Sequence, residues 1–157
     1  MSEAQLPETE RNDNPLDLAA PVIGRVEIQS IVLAESRTAR HPQVNLSQEG
    51  LQSDISVVSI EVGRNEESKL IYVFPVFRLT VKAAGEKETT PLLSIEAKFV
   101  VIYSLKSFDG LEDKNLSAFG ATNGVFNAWP YWREFVQSTT MRMGLQILTV
   151  PLYRLVQ

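Results

Sequence analysis

LIYVFPVFRLTVKAAGEKETTPLLSIEAKFVVIYSL, residues 70–105, holds two runs in which apolar and polar side chains alternate. Over residues 70–82, Ile71, Val73, Phe77, Leu79 and Val81 share one face. Over residues 92–105, Leu93, Ile95, Ala97, Phe99, Val101, Tyr103 and Leu105 do the same. A period of two is the signature of a strand, because successive side chains point to opposite faces of a sheet. The intervening positions include Arg78, Thr80, Lys82, Ser94, Glu96 and Lys98, so one face is covered and the other wetter. The separation is incomplete: Tyr72, Phe74, Val76, Val100 and Ile102 put apolar surface on the polar side. Pro75 has no N–H for a ladder and predicts an edge position or a bulge.

Outward from this pair, residues 55–62 and 22–33 read as two further strands. Turn-like residues 63–68 and 83–88 make hairpin links, and short links favour antiparallel pairing. Residues 36–54 are polar, contain Pro42 and Gly50, and read as a long connection with Val44, Leu46 and Leu51 as spaced apolar residues. Past the strands the period changes. Residues 116–121 read as one or two helical turns, and a longer helix is expected from Pro130 to the stop at Gly144. Proline suits a first helical position and glycine the residue beyond the last. Trp132, Phe135, Val136, Thr139 and Met143 form one stripe at helical spacing. Residues 147–152 are a short apolar tail. The expected fold is α+β: a four-stranded antiparallel sheet followed by a long helix packed on one face.

Residues 1–21 lack periodicity, carry Pro7 and Pro15, and are expected to be a disordered acidic tail before a domain over residues 22–157. Glu3, Glu8, Glu10, Asp13 and Asp17 face Arg11 alone, so residues 1–17 account for the whole formal net charge of −4. The charge-balanced remainder lacks the basic footprint of a nucleic-acid binder. The N-terminus has neither the basic start nor the apolar run of a signal peptide, and no segment is apolar enough to span a bilayer, so a cytoplasmic protein is expected. The chain has no cysteine and a single histidine, His41, beside Pro42 in the connection. No metal site, phosphate loop, dinucleotide fingerprint or nucleophile elbow is recognisable, and the expectation is a protein that is not an enzyme and needs no cofactor. Phe126, Trp129, Tyr131, Trp132 and Phe135 form a dense aromatic run, which serves either the helix–sheet packing alone or a subunit interface as well.

Residues 120–151, GATNGVFNAWPYWREFVQSTTMRMGLQILTVP, resemble the SecB family of protein-export chaperones. The family's aromatic-Pro-Tyr-x-Arg-Glu helix start is matched by Trp129-Pro130-Tyr131-Trp132-Arg133-Glu134. Its small-residue helix end and apolar segment are matched by Gly144 and residues 145–150. Residues 26–31 resemble the first strand and residues 42–46 the start of the crossover region, so the resemblance covers roughly residues 22–152.

The resemblance implies a chaperone that holds non-native polypeptides in apolar grooves for protein transport and translocation, handing them to the SecA motor. It implies a homotetramer built as a dimer of dimers. On this reading Val44, Leu46, Val57, Phe74 and Ile102 form a partly exposed client groove; otherwise they close a local core under the loop. Trp129, Trp132, Phe135, Val136, Thr139 and Met143 contact another subunit. Glu35 and Glu96 fall at motor-binding positions, diluted by Arg37, Arg40 and Lys98. The family's second C-terminal helix has no counterpart here, which favours client holding over delivery. Shorter SecB-like proteins serve toxin–antitoxin systems, where the client is an antitoxin. From another class, a small-ligand-binding α+β domain would require a closed apolar pocket instead of an open channel.

Overall fold

The computed structural model describes residues 14–85 and 90–154. A short helix α1 (Pro15–Ile23) leads into four strands, β1 (Val26–Arg40), β2 (Leu51–Asn65), β3 (Leu70–Ala83) and β4 (Leu93–Leu105). Helix α2 (Asp113–Phe119), a π-helical turn (Gly120–Gly124) and helix α3 (Val125–Arg142) follow without a break. The strands form one antiparallel sheet in the order β1-β4-β3-β2, with the helices against one face.

The alternation of β3 and β4 is what buries the core. Ile71, Val73, Phe77, Leu79, Val81 and, on β4, Leu93, Ile95, Ala97, Phe99, Val101, Tyr103 and Leu105 are all buried. Aromatic side chains join sheet to helix: Phe77 meets Trp129 edge-on at 5.4 Å and stacks on Trp132 at 5.6 Å, while Phe99 meets Phe135 at 6.4 Å. Pro75 sits on a central strand, not an edge. The β3–β4 pairing skips from Val73↔Val101 to Val76↔Lys98 around it, and the neighbouring β2 carries an irregularity between Val57 and Ser59. The ladder thus absorbs the missing donor by a gap and an adjacent bulge.

Three boundaries differ from expectation. The connection between β1 and β2 is residues 41–50, shorter than 36–54, because both strands run farther. β1 and β2 are edge strands, exposed on much of both faces, and an edge tolerates the charged residues that masked their ends. Residues 14–21 of the expected disordered tail belong to helix and its cap; residues 1–13 lie outside the described residues. Asn14 accepts the Leu16 N–H through its side chain at 3.1 Å, Pro15 opens the helix, and Ala19 and Val22 are fully buried. Asn-Pro ahead of an apolar run is an N-terminal helix signal. Asn115 of α2 ties α1 down by donating to the Leu18 carbonyl at 2.9 Å.

The long helix starts at Val125, so Pro130 lies inside it and not at its start. Pro130 is exposed, as is Phe126 one turn back, so the carbonyl that loses its N–H partner lies on the solvent side of the helix. The predicted stop holds. Gly144 has φ +69° and the Leu145 N–H reaches the Thr140 carbonyl at 3.0 Å, a Schellman closure that needs a left-handed residue.

Candidate functional site

Antiparallel register places paired residues on the same face of a sheet. Tyr72 pairs with Ile102, Ile102 with Ser30, and Val32 with Val100, all on the face turned away from α3. Phe74 stands beside them, its ring 6.4 Å from that of Tyr72 and nearly parallel to it. Together Val32, Val100, Ile102, Tyr72 and Phe74 form an apolar band across three strands. Val32 is 48% exposed, and the other four are half-buried by their neighbours in the sheet. Lys98 borders the band, its ammonium 5.4 Å from the Phe74 ring centre.

Beyond Lys98 the same face becomes charged. Arg78 holds Glu96 through Nε at 2.8 Å and Nη2 at 2.6 Å. Arg37 is opposite Glu96 on β1, and Glu35 is opposite Lys98. A depression of about 410 Å³ here is lined by Glu35, Ser36, Arg37, Val76, Glu96 and Lys98. Its walls are mostly charged, unlike the apolar walls of a small-ligand pocket. Among the described residues no group of three or more His, Cys, Asp or Glu could hold a metal ion, and no helix is long and apolar enough to cross a membrane.

The structure separates the five residues expected in one groove. Phe74 and Ile102 lie together on the open face. Val57 pairs with Phe77 and therefore belongs to the helix-covered face, at its exposed edge. Val44 is buried, at 6% exposure, so it lines no open groove, and Leu46 packs half-buried against the main core. The helix stripe is likewise divided. Trp132 and Val136 are fully buried and Trp129 nearly so, within the single chain, so no second copy touches Trp132 or Val136. Phe135, Thr139 and Met143 are half-buried. The apolar side chains that α3 presents outward are Phe126, Tyr131 and Met141, at 47%, 48% and 59% exposure. Helical phase alone identified a stripe but not which side of it met the sheet. The extra apolar residues Tyr72 and Val100, in contrast, were legible in the alternation.

No family model matches the chain. It is 27% identical over 164 residues to the SecB-like chaperone Rv1957 of Mycobacterium tuberculosis strain H37Rv, covering 92% of this chain and 88% of that protein. The SecB-like chaperone MT2006 of the CDC 1551 strain matches at the same identity and coverage. Among solved structures, the M. tuberculosis Rv1957 SecB-like chaperone, in complex with a ChAD peptide from the Rv1956 HigA1 antitoxin, superposes with a TM-score of 0.77 at 23% identity. That match covers 89% of this chain and 99% of that one.

Proposed function

We propose that this SecB-like chain is a molecular chaperone that holds unfolded polypeptide, with the apolar band on the open face of its sheet as the holding surface. The observation that carries the reading is the band itself, in which Tyr72 and Phe74 stack beside Ile102 on the face that α3 leaves free. Unfolded chains expose extended apolar segments. Burying one leucine-sized side chain contributes about 1.5–3 kcal/mol. A few such contacts leave micromolar binding after the ordering costs. Apolar contact is tolerant of client sequence and needs no reacting group, nucleotide or metal. The Arg78–Glu96 ion pair on this face is neutralised, and Lys98 and Arg37 stand opposite Glu35 and Glu96, so binding is only weakly sensitive to salt. For the same reason Glu35 and Glu96 offer SecA no acidic patch, and client holding is the activity proposed for this face.

The client is a preprotein segment awaiting export or a segment of an antitoxin. One observation favours the second: the similar Rv1957 chaperone is solved with an antitoxin-derived peptide. The chain is proposed to work in the cytoplasm as a homotetramer, a dimer of dimers, with the outward apolar residues of α3 at a subunit contact.

The test is the double variant Phe74→Ser with Ile102→Ser in an aggregation assay with a chemically unfolded client. Both sites are half-buried on the surface, so the fold is retained while client affinity drops at least tenfold, about 1.4 kcal/mol or more. A folded double variant that holds client as well as wild type overturns the assignment of the band.

A further inference from the structure

Residues 145–154 form neither helix nor strand and run back along α3. Among the described residues, no main-chain hydrogen bond ties residues 146–154 to the rest of the chain. Side chains of α3 hold the segment instead, and they grip its backbone. Trp129 Nε1 donates to the Pro151 carbonyl and Arg133 Nε to the Val150 carbonyl, both at 2.8 Å, while the Leu148 N–H reaches Thr140 Oγ1 at 3.4 Å. Val150 fills an apolar seat at 1% exposure, and the Tyr153 ring lies 5.0 Å from that of Trp129. Ile147 and Leu152 point outward, at 59% and 69% exposure.

This is the chemistry of a peptide-binding groove. Donors aimed at main-chain carbonyls recognise any extended segment, and a seat for one aliphatic side chain asks only for an apolar residue there. A segment held without ladder bonds opens more readily than the sheet beneath it. Building on the chaperone reading, we infer that the groove along α3 is a second client subsite for an extended apolar polypeptide segment, filled in the free protein by residues 145–154 and vacated when client binds. Occupation in cis lowers the apparent client affinity by the fraction of molecules whose groove is open.

The chain has no cysteine, so one introduced thiol reports unambiguously. In the full-length Val150→Cys variant, the rate of labelling by a soluble thiol reagent is measured with and without a saturating, cysteine-free unfolded client. Displacement exposes residue 150 and accelerates labelling at least tenfold. Unchanged or slower labelling, with client demonstrably bound, shows a permanently docked segment and overturns this inference alone. Independently, Val150→Asp ejects the segment and raises client affinity several-fold; affinity that is unchanged or lower in a folded variant also overturns it. If wild type binds no unfolded client at all, the chaperone reading fails first and the subsite with it.

Discussion

At Gly124 the chain comes so close to β3 that a Cβ would stand 2.6 Å from Val73 Cγ1 and 3.2 Å from Val73 Cβ. Gly120, one turn earlier, faces Val62 in the same way. Alanine at 124 gains about 0.5–1 kcal/mol of helix propensity, since the backbone there is already helical. The overlap opposes that gain, and rotating the stiff valine cannot relieve contact with its own Cβ. Gly124→Ala is therefore expected to destabilise by about 1–3 kcal/mol in urea unfolding. In a Val73→Ala background, which removes the γ-carbons and leaves only the 3.2 Å contact with Cβ, the same change should cost markedly less; equal costs in both backgrounds contradict the contact. Tyr103 makes a different demand. Burial raises its pKa above the usual 10.0, and the hydrogen bond from Asn127 to its hydroxyl, 2.9 Å long, opposes that rise. Below that usual value both folded and unfolded chains keep the proton, and the group adds no slope. Above it the unfolded chain releases the proton first, so stability falls as pH rises toward the folded value. Unfolding measured at about pH 9 and pH 11 should show this alkaline loss in wild type and a smaller one in Tyr103→Phe; equal losses contradict the burial argument.

Among the elements, the connection at residues 41–50 corrects most sharply what the sequence implies. Apolar residues in a polar loop either bind or pack, and Val44 packs. Val44→Ser should cost about 1–3 kcal/mol of stability, from lost burial and a hydroxyl placed in an apolar site. It should leave client affinity unchanged in the molecules that remain folded; reduced affinity at unchanged stability contradicts the burial of Val44. The central strands were legible because both carry a covered face, on which every second residue is apolar. Edge strands β1 and β2 carry no such constraint, which hid their ends. Helix α1 was hidden by the acidic, proline-bearing context, although Asn14-Pro15 ahead of Leu16, Leu18 and Ala19 is a helix start. Pro130 misled in the other direction, because a π-helical turn and an earlier helical turn precede it. Of the proposed client surface, Phe74 and Ile102 were legible as apolar residues out of phase; the burial of Val44 depends on how the connection folds back, which no local pattern encodes.

For the whole molecule, the apolar surface left on the outside of α3 belongs to Phe126, Tyr131 and Met141. If that surface is the proposed subunit contact, Tyr131→Asp leaves each protomer folded and lowers the mass seen by light scattering. Phe135→Asp, half-buried and facing Phe99, should instead destabilise each protomer, because it removes the ring packing and sets a charge against apolar neighbours. A wild type that stays monomeric at high concentration contradicts the tetramer without touching the chaperone reading, because the apolar band lies within one chain. The most direct test of that reading is the turbidity of a chemically unfolded client diluted into native buffer with increasing amounts of the wild-type chain. Client should stay soluble at near-stoichiometric chaperone and at both low and high salt; aggregation at the same rate with and without the chain contradicts the account at its root.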